Sequence, residues 1–114
     1  MCSDREEVND KVADDEGMPG FEWHLVKAES NHKKHGVTFE EAKTVFSDHF
    51  RIEAPDDWHS DDEQRYLGVG RSIRGRILSV YYTFRSNKIR IISARCSERW
   101  ERNEYEAGND EERN

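Results

Sequence analysis

Between residues 65 and 102 the chain carries nine arginines and one lysine, interleaved with Tyr66, Tyr81, Tyr82 and Phe84. A guanidinium is a planar fork of donors that matches a phosphate, and an aromatic ring offers a face to an unpaired base. The set therefore suits a phosphate-and-base surface. It equally suits a solvated, arginine-rich sheet whose guanidiniums pair with the acids of residues 36–64. Just upstream, Asp56, Asp57, Asp61, Asp62 and Glu63 surround Trp58, His59 and Ser60. Their spacing matches neither a calcium loop, which needs a central glycine and a closing glutamate, nor any zinc pattern, so a solvated acidic loop is favoured over a metal site. His59 and Glu63, close in sequence to Arg65, form a candidate acid/base pair.

Other chemistries are disfavoured by what the chain lacks. His24, His32 and His35 do not have the i,i+4 spacing of a helical zinc pair, nor its intervening glutamate. Gly68 and Gly70 sit inside a strand-like run, where glycine marks a bulge or a close approach more often than a phosphate loop. No nucleophile elbow, Walker loop or complete dinucleotide fingerprint occurs, and the basic block holds no convergent carboxylates for a two-metal nuclease. Cys2 and Cys96 are not in a CxxC arrangement and read as free thiols. No metal and no cofactor is expected.

These residues need elements to position them. The chain has 114 residues, a net charge of −7 and 38% charged residues, which taken whole argues against a nucleic-acid partner. Segment by segment the picture changes. Residues 1–18 hold seven acids and two bases, residues 104–114 hold five acids and one base, and residues 65–103 hold ten bases and two acids. The first 18 residues read as a disordered acidic leader, 19–106 as one small domain and 107–114 as an acidic tail. No stretch has the apolar length of a membrane span, and the acidic N-terminus does not resemble a secretory leader, so a cytoplasmic protein is expected.

Alternation predicts a short strand over 21–23. A helix over 24–35 follows, with Leu25, Ala28, His32 and His35 on one face and Gly36 as a left-handed cap. Thr38 and Glu41 form a capping box for a second helix bearing Phe39, Ala42, Val45 and Phe46. Residues 50–54 read as an edge strand stopped by Pro55, and 64–71, 76–84 and 88–95 as a meander turning at 72–75 and 86–87. Ser97 can cap a closing helix, with Trp100 placed to pack back on the sheet. The order implies an α+β fold, a mainly antiparallel sheet with helices on one face, the other face being open for the arginines.

Taken together, several segments resemble the BrnT-type ribonuclease toxins. They are Phe21-Glu22-Trp23, Lys27-Ala28 with Asn31, Lys34-His35-Gly36-Val37, Phe39-Glu40-Glu41-Ala42 and Val45-Phe46-Ser47-Asp48. Further on come Glu63 and Arg65, Gly68-Val69-Gly70-Arg71-Ser72, Gly75-Arg76, Tyr82-Thr83, Arg90-Ile91-Ile92-Ser93-Ala94-Arg95, Glu98-Arg99 and Tyr105-Glu106. The resemblance implies a RelE-like fold with two N-terminal helices and one C-terminal helix. It also implies metal-independent RNA cleavage by 2′-OH attack that inhibits translation, and neutralisation by a BrnA-like ribbon–helix–helix antitoxin, the pair binding operator DNA. On that basis Arg71 and Arg95, then Arg65, are expected to stabilise charge, with Lys27, His59 and Glu63 as candidates for proton transfer. Arg76, Arg90 and Tyr82 are expected to bind RNA. One departure stands at the first helix, where His24-Leu25 replaces the family's Asp-Pro and should loosen that end. The alternative is a toxin-like binding module with little or no activity that works through its antitoxin complex on operator DNA.

Overall fold

The computed structural model describes residues 20–60 and 62–113, with backbone alone over 109–113. In chain order the elements are β1 (Phe21–Trp23), α1 (Leu25–His35), α2 (Phe39–Lys43) continued by a 3₁₀ turn (Thr44–Ser47), β2 (Ile52–Pro55), a 3₁₀ turn (Asp57–His59), β3 (Tyr66–Arg71), β4 (Ile77–Arg85), β5 (Lys88–Cys96) and α3 (Arg99–Arg113). The strands form one sheet ordered β1-β5-β4-β3-β2, antiparallel except for β1, which lies parallel to β5. The leader expected over 1–18 lies outside the described residues, and the segment expected as a tail continues α3 to Arg113.

Strand periodicity divides the sheet into two unlike faces. On one, Phe21 and Trp23 of β1, Leu78 and Val80 of β4, and Ile91 and Ala94 of β5 meet Val37, Phe39, Ala42 and Val45, all buried. This is the core, covered by α1 and α2. Gly70 makes the close approach possible, since a Cβ there would lie 2.8 Å from Val45 Cγ1 and 3.0 Å from Arg51 Cβ. The opposite face carries Ser79, Tyr81, Thr83 and Arg85 of β4 with Arg90 and Arg95 of β5. It is not left wholly open: α3 crosses it, burying Glu101 and Tyr105 rather than Trp100, which stays 58% exposed.

Local details follow from side-chain chemistry. His24 caps α1 itself, its Nδ1 accepting the Lys27 N–H at 3.4 Å, so the loss of the family's cap is partly made good. Gly36, at φ 71°, closes the helix with an N–H donated to His32 O at 2.8 Å. Leu25 and Ala28 of α1 pack against the core as expected, but the residue that the helix buries is Asn31, and His32 and His35 are exposed. The Asn31 amide donates to the carbonyls of Val37 (2.9 Å) and Ala94 (2.8 Å), and its Oδ1 accepts the Ala94 N–H (3.1 Å). It thus extends the ladder where three-residue β1 has ended. Only half of the expected capping box forms: Thr38 Oγ1 accepts the Glu41 N–H at 3.0 Å, but the Glu41 carboxylate turns to Ser72 and Arg76. Ser97 does not cap α3 by its hydroxyl, which meets Ser79 Oγ at 2.7 Å.

Candidate active site on the arginine face

The loop between β2 and β3 is closed by its own polar groups. Asp56 N–H donates to Arg65 O (2.8 Å), Ser60 Oγ donates to Asp56 O (2.8 Å) and accepts from Arg65 N–H (2.8 Å), and Thr83 Oγ1 of β4 donates to Gln64 O (2.6 Å). This closure sets His59 on the sheet. Its Nδ1 lies 2.8 Å from Asp56 Oδ2, and its ring meets that of Tyr81 edge-on, centroids 5.9 Å apart. The Tyr81 hydroxyl accepts an N–H from Arg95 at 3.1 Å, and the Arg95 guanidinium stands 5.7 Å from the same ring. An imidazole, a phenol and a guanidinium from three separate segments are thereby brought together.

Arg95 is held in place from the other side by α3. Its two terminal nitrogens donate to Glu101 Oε1 (2.8 Å) and Oε2 (2.9 Å), a bidentate grip on a carboxylate that is 1% exposed. Burial alone would push the Glu101 carboxyl up. The Arg95 fork, the Glu98 N–H and the Ser79 hydroxyl outweigh it and hold the group below its ordinary value. Hydrogen bonding to Glu101 in turn strengthens the Arg95 charge against its own burial.

Of the residues singled out in the sequence, Arg65, Arg90, Arg95, His59 and Glu63 lie on this face, with Arg95 opposite Ser79 on one side of Tyr81 and Arg90 opposite Thr83 on the other, where Glu63 and Arg65 are its neighbours. Arg90 donates to Glu22 Oε2 at 3.0 Å, and Arg65 leaves its Nε without a hydrogen-bond partner among the described residues. Glu63 is not paired with His59. It accepts from Arg85 at 2.8 Å, and that contact holds its carboxyl below the usual range; the carboxylate on His59 is Asp56.

Arg71 ends β3 opposite Ile77, two residues along β4 from the Ser79–Arg95 pair, its guanidinium 5.9 Å from the Tyr105 ring of α3 and bonded to Gly75 O at 3.1 Å. Its own N–H donates to Asp48 Oδ2 (2.8 Å), which also accepts from the Tyr105 hydroxyl (2.6 Å). Arg76 is clamped by Glu41 and also donates to Gly36 O at 3.1 Å, tying the β3–β4 turn to the helices. Lys27 is exposed on α1, which covers the core face, so the sheet separates it from Arg95. Tyr82 is 2% exposed, its hydroxyl donating to Glu53 Oε2, so it presents no ring to a base. The tyrosine on the arginine face is its neighbour Tyr81. The signal was present: Ser79, Thr83 and Arg85 mark the polar phase of β4, and Tyr81 is in phase with them.

Among the described residues no cluster of three or more His, Cys, Asp or Glu side chains has metal-ligand geometry, no helix is long and apolar enough to cross a membrane, and Cys96 is an exposed free thiol.

Comparison with known proteins agrees with this architecture. Residues 23–101 match the family described as the ribonuclease toxin, BrnT, of type II toxin–antitoxin systems, and the chain belongs to that family. The fold is that of the crystallised Brucella abortus ribonuclease toxin BrnT, with a TM-score of 0.52 at 20% identity, over 68% of this chain and 94% of that one. No curated protein matches the sequence.

Proposed function

We propose that this toxin is a metal-independent endoribonuclease whose reaction takes place where His59, Tyr81 and Arg95 meet. That juxtaposition is the observation that carries the reading. With Asp56 accepting from Nδ1–H, the His59 tautomer leaves a lone pair on Nε2 to take the proton of an RNA 2′-OH. The 2′-oxygen then bonds to the adjacent phosphorus, the bond from phosphorus to the 5′-oxygen breaks, and the leaving oxygen takes a proton from the Tyr81 phenol or from a protonated imidazole. The products are a 2′,3′-cyclic phosphate and a 5′-hydroxyl. Arg95, fixed by Glu101, stabilises the charge that develops on the phosphorane.

Arg71 extends the phosphate contacts on the Arg95 side of Tyr81, and Arg65 and Arg90 on the other; Arg76, clamped by Glu41 against the helices, holds the β3–β4 turn. Glu63 acts by positioning Arg85. Lys27 and Tyr82, on or within the opposite layer, have no place in this site. The biological consequence is arrest of translation in the cytoplasm. A BrnA-like ribbon–helix–helix antitoxin relieves it and carries the complex to operator DNA.

One observation favours a second reading, a weakly active module that works through its antitoxin: Arg76, Arg85, Arg90 and Arg95 each already hold a carboxylate. Induced expression separates the two. The parent alone should arrest growth, co-expression with the antitoxin should restore it, and His59→Ala at equal abundance should not arrest it. Arrest by His59→Ala equal to the parent's would refute the assignment.

A further inference from the structure

The chain has three tryptophans, and the fold uses them in two ways. Trp23 is a core residue at 2% exposure, whereas Trp58 is 87% and Trp100 58% exposed. The two exposed indoles terminate one row across the arginine face. Trp100, in the first turn of α3, donates its Nε1–H to Glu98 at 3.0 Å and lines a groove with Leu67. Leu67 stands directly opposite Tyr81 in the β3–β4 ladder, the Tyr81 ring meets His59, and Trp58 precedes His59 in its 3₁₀ turn. Arg95 bonds the Tyr81 hydroxyl from one side, and Arg90 and Arg85 follow on the other side further along the β4–β5 ladder.

We propose that Trp58 and Trp100 are base-stacking residues that select unpaired RNA. They would hold one base at each end of the row while the backbone between them passes the arginines and the scissile phosphate reaches His59 and Arg95. The inference rests on the RNA-cleavage reading and deepens it, by assigning the strandedness of the substrate and the residues that read it. An indole left in water gains most from a flat π-surface, every unpaired base has one, and in a duplex those faces are already stacked. The guanidinium rows supply the matching charge for the backbone, which makes a nucleic-acid strand a better occupant than an apolar peptide.

The test is titration with a single-stranded 2′-O-methyl oligonucleotide of mixed sequence, which cannot be cleaved, and with the same oligonucleotide annealed to its complement. Binding is read by tryptophan emission and by the anisotropy of a label on the oligonucleotide, for the parent, Trp58→Ala, Trp100→Ala and the corresponding Trp→Phe variants. The buried Trp23 reports that each variant is folded. The single strand should quench the exposed indoles, each alanine should weaken binding by about fivefold to a hundredfold, and phenylalanine should recover part of the loss. The duplex should bind more weakly and be insensitive to the substitutions. Parent-like affinity in both alanine variants, or equal quenching by the duplex, would overturn the proposal, as would variants that lose the antitoxin while keeping the oligonucleotide. A protein that cleaves RNA but whose variants bind like the parent loses only the stacking assignment; one that is quenched but never cleaves loses only the catalytic one.

Discussion

The two faces of the sheet are built from alternate residues of the same strands and do opposite things. Leu78, Val80 and Ala94 are fully buried against α1 and α2 and form no hydrogen-bonded side-chain network. Ser79, also fully buried, faces the other way into a chain of polar contacts that runs through Glu101 to Arg95 and Tyr81. One face is held by area removed from water, the other by hydrogen bonds that leave one end of a guanidinium row facing solvent. Substitutions on the first should cost stability alone, and on the second should cost chemistry as well.

The largest effect is expected at Arg95. Arg95→Ala leaves Glu101 buried and unpaired and should destabilise by about 3–5 kcal/mol in urea unfolding, with cleavage lost. Replacing both partners by apolar residues, Arg95→Met with Glu101→Leu, should recover most of that stability and none of the cleavage. If the double variant cleaves RNA, the guanidinium is structural only. Next, Leu78→Ala on the core face should lower stability by about 2–5 kcal/mol while leaving cleavage per folded molecule unchanged. A comparable loss of cleavage in folded Leu78→Ala would erase the distinction between the faces.

A pH titration sharpens the same contrast. Glu101, Asp48 and Glu41 all titrate below their ordinary values in the folded state. For Glu101 and Asp48, hydrogen bonds overcome the upward push of burial; for Glu41 the Arg76 contact dominates. A lowered folded value means that the contribution is present above the unfolded value and disappears as pH falls through the folded one. Denaturant midpoints should therefore hold steady around neutrality and drop below about pH 4.5, the ordinary value for Glu101 and Glu41. Glu101→Gln should flatten part of that drop. The smallest effect concerns the acidic residues 1–18. Their deletion should tighten RNA binding at low salt by less than about tenfold and have no effect at high salt, because a screened field does not reach the arginine face.

Much of this was legible in the sequence. The strand and helix order, the Gly36 cap and the division of charge followed from periodicity and composition. What sequence could not show was which acid each arginine meets, since those partners are far apart in the chain: Arg76 with Glu41, Arg90 with Glu22. His59 met Asp56 instead of Glu63 because the loop folds back through Ser60, a closure invisible in spacing. Trp100 misled by hydrophobicity. The inward positions of α3 are Glu101 and Tyr105, one turn apart, because they meet Ser79, Arg95, Arg71 and Asp48.

The central claim, that His59 and Arg95 cleave RNA without a metal, is tested most directly by the ends of the products. Purified parent and His59→Ala are incubated with RNA in excess chelator and the fragment termini determined. The expected products carry 2′,3′-cyclic phosphate and 5′-hydroxyl ends, form at a rate the chelator does not change, and appear about 10²- to 10⁴-fold more slowly with His59→Ala. Ends bearing a 5′-phosphate, loss of cleavage on chelation, or a His59→Ala protein as fast as the parent would contradict it.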